Sequence, residues 1–150
     1  MATPSIINLL KKDHKEVSAL FEKALATTER AANKRAQLFA QINDALTIHT
    51  RFEEEHLYPV LAEKRATKDD ALEAVEEHGQ IKHLLQDISA TDVADERWKA
   101  KLMVLSEDVH HHVKEEEKSG GFFDDLKKAL SEENLTTLAE QYQAEKAASV

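Results

Sequence analysis

The stretch "LMVLSEDVHHHVKEEEKSGG", residues 102–121, decides the fold. Leu102, Leu105, Val109, His112 and Glu116 recur at intervals of three and four, the spacing of one face of an α-helix. Gly120-Gly121 then supplies the stop. An apolar stripe that runs into a histidine and a glutamate carries both side chains into the core of whatever the helix packs against. His110, His111, Glu115 and Glu117 fall on other faces, where solvent or a neighbouring helix is the expected company.

The rest of the chain is built from the same material. Its 150 residues contain 3 Gly and 2 Pro, too few for a series of hairpin turns, while good helix formers dominate. That length fits one domain with one sizeable core. The reading is all-α. A Thr3-Pro4 pair is a fair helix start, and the first helix is expected to run to about residue 30. A second carries Leu38, Ile42, Leu46 and Phe52 to a bend before Pro59 and on to about 64. A third is expected over 69–89 and a fourth over 93–118. "FFDDLKKALSEENLTTLAEQYQAEKAA" then gives a short and a longer C-terminal helix, with Ser131 as N-cap of the latter. Four long helices joined by short loops predict an up-down-up-down bundle over about 4–118, with a helical extension over about 122–147 packed outside it.

A formal net charge of -9 repels phosphate backbones and anionic membrane surfaces, so neither nucleic acid nor a membrane is an expected partner. No stretch is long and apolar enough to span a bilayer. The absence of cysteine excludes disulfides and thiolate metal sites, and the N-terminal "MATPSIINLLKKDHKEV" lacks the apolar core of a signal peptide. A cytoplasmic protein, monomeric or homodimeric, is expected.

All four expected bundle helices put a histidine on the core stripe. The first reads Ile7, Leu10, His14, Val17, Phe21. The second reads Ile42, Ala45, His49, then Phe52 or Glu53, then His56. The third reads Ala71 or Leu72, Val75, His78, then Ile81 or Lys82, then Leu85. The fourth ends in His112 and Glu116. One histidine on such a face is ordinarily a satisfied core residue. Four buried imidazoles must each be kept neutral and hydrogen-bonded, or else bind a metal, and one ligated cluster solves all four. His49 with Glu53 and His112 with Glu116 are four apart, so each pair can grip one centre. The spacing carries more weight than either pair: 35 residues separate His14 from His49 and 34 separate His78 from His112, as in a duplicated helix hairpin. Imidazoles with carboxylates suit iron or manganese, and zinc less well. Four and two are too many for one ion; they suit two ions bridged by Glu53 and Glu116, with room for a bridging oxygen and a small exogenous ligand.

The stretches "KDHKEVSALF", "HTRFEEEHLYPVL", "EEHGQIKHLL" and "HHVKEEE", in this order and at these separations, resemble the hemerythrin-like HHE cation-binding domain family. The resemblance implies a four-helix bundle around a non-heme di-iron centre, oxo- or hydroxo-bridged, with His14, His49, Glu53, His78, His112 and Glu116 as ligands. The chain departs from the oxygen-carrying hemerythrins in two places. Those proteins resemble His-x-x-x-His on the third helix, where Lys82 stands four beyond His78, and His-x-x-x-x-Asp on the fourth, where Glu116 and Glu117 follow His112. With one imidazole missing, the two irons become nearly equivalent, which favours turnover of dioxygen or peroxide over reversible storage. His56, one turn beyond Glu53, is the candidate to fill the gap or to stand just behind the ligands.

The implied function is binding of, or reaction with, dioxygen, peroxide or another small diatomic ligand, in oxygen or redox sensing or the response to oxidative stress, with a peroxidase-like oxidoreductase activity as one form of it. Iron storage or delivery and nitric oxide chemistry are the alternatives with metal, and a helical interaction module the one without. A ferritin-like Glu-x-x-His site would use Glu53 with His56 and Glu107 with His110, but Glu107 and His110 lie off the core stripe. Glu54, Glu55, Glu76, Glu77 and Glu117 read as a solvated face, and Phe21, Phe39, Phe52, Trp98, Phe122 and Phe123 as packing aromatics. Tyr58, near the ligand turn, receives no role. His83 and His111 are expected at the surface.

Overall fold

The computed structural model describes residues 4–149, and the Thr3 of the expected helix start lies outside them. Helices α1 (Ile6–Leu25), α2 (Ala32–Phe52), α4 (Lys68–Ser89) and α5 (Glu96–Glu117) form the bundle. Between α2 and α4 the chain continues through a π-helical turn (Glu53–Leu57) and the short α3 (Tyr58–Ala62). Helices α6 (Phe122–Ala129) and α7 (Glu132–Ala148) follow. Among the described residues there is no strand, and no helix is long and apolar enough to cross a membrane. α1 packs against α2, α5 and α7, and α4 against α3 and α5, with α2 facing α4. That is the up-down-up-down arrangement.

The helix ends follow their capping chemistry. The Ser5 hydroxyl accepts the Asn8 N–H and opens α1. Asp95 accepts the Arg97 N–H, so the fourth bundle helix starts at Glu96 instead of 93. Ser131 caps α7 through the Asn134 N–H, as expected. α1 stops at Leu25, short of residue 30, because the Thr27 hydroxyl takes the Ala24 carbonyl and Arg35 Nη2 takes that of Thr27. Arg35 is 3% exposed, lies over the Trp98 ring at 4.7 Å and donates to the Val93 carbonyl, pinning the α1–α2 loop to the start of α5. Gly120, at φ 73°, makes the turn after α5.

On α4 the buried face is Ala71, Ala74, His78, Ile81 and Leu85, while Leu72 and Val75 are 52% and 36% exposed. Counting back from His78 in steps of four and three reaches Ala74 and Ala71; Leu72 and Val75 sit one residue off that phase. The apolar core is in two parts. One gathers Val17, Phe21, Ile42, Leu46, Ile81, Leu85, Trp98, Leu102 and Leu105. The other gathers Leu10, Phe52, Leu57, Leu61, Ala74, Phe123, Leu126, Ala139 and Tyr142. Along each bundle helix the histidine falls between them. The C-terminal extension does more than lie outside the bundle, since α7 buries Leu135, Ala139 and Tyr142 and closes the second part.

A candidate metal centre

Between the two half-cores lie His14, His49, Glu53, His78, His112 and Glu116, each with a side chain no more than 7% exposed. Their inner atoms form two triads, His14–His49–Glu116 and Glu53–His78–His112, within each of which the ligand atoms lie within 4.8 Å of one another. The carboxylates link the triads. Glu53 Oε1 is 3.3 Å from both His49 Nε2 and His78 Nε2. Glu116 Oε1 is 3.3 Å from His14 Nε2 and 3.5 Å from His112 Nε2. Each glutamate therefore spans one histidine from each triad, the position of a bridge.

All four imidazoles point Nε2 inward and present Nδ1 to a carboxylate behind. His14 Nδ1 is 2.7 Å from Glu117, His49 Nδ1 3.1 Å from Asp13, and His112 Nδ1 3.0 Å from Glu77. His78 Nδ1 is 3.4 Å from Glu54, without hydrogen-bond alignment. A carboxylate on Nδ1 fixes the tautomer, leaves the Nε2 lone pair inward and raises its basicity. The acids are themselves held. Lys82 donates to both Glu54 oxygens, at 2.8 and 3.0 Å, which accounts for the residue that breaks the third-helix pattern. Asp13 accepts from the Tyr142 hydroxyl at 2.5 Å and from Lys146, both on α7. Glu54, Glu77 and Glu117 are thus not the plain solvated face expected of them. Each sits beside a core position, Glu54 next to Glu53, Glu77 next to His78 and Glu117 next to Glu116, a place that in the sequence reads the same as a hydrated surface.

The π-helical turn supplies a further group that sequence phase missed. There the Tyr58 N–H donates to the Glu53 carbonyl, an i→i+5 bond, so Tyr58 comes round onto the face of Glu53. Its hydroxyl lies 3.0 Å from His78 Nε2, 3.1 Å from His112 Nε2 and 3.5 Å from Glu53 Oε1. The same wider winding carries His56 off that face. His56 Nε2 meets Gln141 at 3.3 Å and Glu145 at 3.7 Å on α7, and its ring lies on Phe52. Pro59, one residue after Tyr58, has no N–H to offer the carbonyl four back, which removes an α-helical bond where the winding changes. Glu107, His110, His111 and His83 are exposed, as their phase requires.

The donors fit a metal pair. His14 Nε2, Glu53 Oε2 and both Glu116 oxygens are buried with no hydrogen-bond partner, and each such atom costs about 1–3 kcal/mol unless something satisfies it. Cations bound between the triads satisfy all of them, and imidazole with carboxylate suits iron or manganese. Acid–base properties agree. Burial and the charge of Glu53 push Glu116 up to about 7. Burial would raise Glu53 too, but the charge of His49 and the close approach of His49 and His78 Nε2, each 3.3 Å from Oε1, hold it well below the usual range. Burial opposes charge on His112, yet Glu77, Glu116 and Glu53 raise it to about 9. His49 is raised in the same way, Glu53 and Asp13 outweighing its burial. Positive charge is what this cluster stabilises.

Beside the centre lies a cavity of about 20 Å³ bounded by His14, His49, His112 and Glu116 and closed by Val17, Leu46, Ile81, Val109 and Val113. A larger groove of about 410 Å³ between α1 and α5 reaches His14 from solvent.

Comparison with curated proteins and with solved structures gives no match. The family model described as Hemerythrin HHE cation binding domain matches residues 5–119, which take in every residue of both triads. Matched over most of its length, the chain belongs to the hemerythrin HHE cation-binding family.

Proposed function

We propose that the protein holds a non-heme di-iron centre on His14, His49, Glu53, His78, His112 and Glu116, and uses it to bind or react with dioxygen or peroxide in oxygen or redox sensing or the response to oxidative stress. The observation that carries this reading is the convergence of four Nε2 atoms and two bridging-position carboxylates in a buried layer, with a carboxylate facing Nδ1 of every histidine. Two iron ions there would supply redox chemistry toward dioxygen or peroxide. The chain's own residues do the rest. His14, His49 and Glu116 would hold one ion and His78, His112 and Glu53 the other, with the glutamates spanning both. Asp13, Glu54, Glu77 and Glu117 orient the imidazoles. Tyr58, whose hydroxyl burial and the charges of Glu53 and Glu116 keep protonated well above its ordinary range, presents a neutral O–H to the second triad.

The small cavity supports a diatomic ligand. Its volume of about 20 Å³ exceeds the roughly 10–15 Å³ that one water needs, and valine, leucine and isoleucine make up most of its wall, with Asp13 and Thr50 the polar lining besides the centre itself. The proposed setting is the cytoplasm, whose reducing conditions keep iron ferrous for uptake.

The test is metal analysis of protein purified without a histidine tag, together with optical spectra through one cycle of reduction and reoxidation. About two irons per chain and charge-transfer absorption that disappears on reduction and returns with oxygen or peroxide are expected. Colourless protein carrying only zinc sinks the redox reading, and metal-free protein leaves a helical interaction module.

A further inference from the structure

A second cleft opens on the other side of α5 from the α1–α5 groove. Its volume is about 130 Å³, and it lies among α3, α4, α5 and the Gly120–Asp125 segment. Asp70, Glu73, Glu115 and Asp125 line its mouth, with Lys118 the one cation among the lining residues. Glu77 stands further in, and Tyr58, His112 and Glu116 form the floor. Acidic side chains at a surface are ordinary. The floor is not: Glu116 is 2% exposed and neither of its carboxylate oxygens has a hydrogen-bond partner. The α1–α5 groove is lined instead by mixed charge and apolar groups, with Lys15 near its end at His14 and Glu22 and Glu117 as its acids.

From the graded line of carboxylates that ends on a partnerless one, we infer that this α4–α5–α6 cleft is the loading path by which hydrated divalent cations reach the centre, separate from the small apolar cavity. The inference rests on the proposed metal centre. A cleft walled by one sign of charge focuses its field and raises the local concentration and capture rate of counter-ions by about 10- to 1,000-fold. Asp70 and Glu73 sit one turn apart on α4 and gather the ion at the mouth. Glu77, the next turn along, lies against His112 and stands between mouth and floor. Glu116 then exchanges the ion's water for a carboxylate already stripped of other partners. Lys118 pairs with Glu115 at 2.7 Å and lowers the field at the mouth.

The experiment measures stopped-flow uptake of Fe²⁺, and of Co²⁺ as a spectroscopic probe, by metal-free full-length protein at low ionic strength, with final stoichiometry read in parallel. The Asp70→Asn/Glu73→Gln protein should load about three-fold more slowly and Asp70→Lys/Glu73→Lys about ten-fold or more, while Lys118→Gln loads faster than wild type, and the spread should collapse near 0.5 M salt. All three should reach the wild-type metal content, and Glu22→Gln in the α1–α5 groove should load at the wild-type rate. The gain of rate in Lys118→Gln cannot come from misfolding. Equal rates across the set, or slowing by Glu22→Gln as large as that by the α4 pair, overturns the path. Failure of wild type to take up either ion instead removes the centre on which the path depends.

Discussion

The Tyr58 hydroxyl lies 3.0 Å from His78 Nε2, twenty residues away along the chain, and closes the second triad with an oxygen. Replacing it with Phe removes that oxygen and little volume. Tyr58→Phe is expected to keep its metal content and fold while its optical spectrum and its rate of reoxidation by peroxide both change. A variant with wild-type spectrum and rate places the hydroxyl outside the chemistry.

The two triads make separate demands on the ligands. In the proposed centre, His78→Ala would remove a donor to one ion and Glu116→Ala a donor that spans both. Both are expected to lower iron content and, because binding free energy is linked to folding, to lower the Tm of protein as purified. His83→Ala and His111→Ala, at the surface, should change neither, and His56→Ala, whose ring faces α7, should retain its iron. Inductively coupled plasma analysis beside a thermal melt reads all five; full iron in His78→Ala and Glu116→Ala refutes the ligand set.

Asp13 joins His49 to α7 through Tyr142 and Lys146. Loss of a carboxylate behind a metal-bound imidazole costs about 10- to 100-fold in affinity, so Asp13→Ala should show that weakening in a competitive chelator titration. Tyr142→Phe, which leaves the carboxylate in place, should show less. If Asp13→Ala titrates like wild type, α7 contributes packing alone.

Acidity gives a signed expectation for the metal-free protein. His112 rises from its ordinary value to about 9 and Glu116 to about 7. Both groups bind protons more tightly folded than unfolded, so their contribution is present in full below the unfolded values and fades as pH rises toward 9. Metal competes with those same protons and binds better as they leave. The Tm of chelator-treated protein should therefore fall between pH 6 and 9, while the increase in Tm on adding Fe²⁺ under anaerobic conditions should grow across that range. A metal-free Tm that climbs with pH contradicts this.

Period and spacing made the bundle legible, because four stripes at helical intervals have one way to bury themselves and the interval from His14 to His49 repeats from His78 to His112. The same phase that brought in His112 and Glu116 left out His110 and Glu107, and both are exposed. What stayed hidden depends on departures from that phase. Tyr58 is five residues beyond Glu53, a distance that α-helical winding turns away from the site and π-helical winding turns toward it, so the periodicity favoured His56 and passed over the tyrosine. The carboxylates facing Nδ1 were hidden for a different reason. Glu54, Glu77 and Glu117 are partly exposed and sit beside core positions, where composition gives the same signal as a hydrated surface; only the ring planes of the histidines distinguish them. Lys82 looked like a lost ligand and is a clamp on Glu54.

The polar layer also sets how the chain comes apart. Val17 and Leu46 lie on one side of it, Leu10 and Leu57 on the other, and the six buried histidine and glutamate side chains keep the two oily compartments from sharing a continuous interior. Metal bound in that layer would act as a rivet between them. Without it, amide exchange should resolve two subglobal openings, one for each compartment; with it, a single concerted one. Metal supply would then govern the cooperativity of the fold as well as its chemistry, so that a cell short of iron would hold a molecule able to melt at one end while the other stays intact.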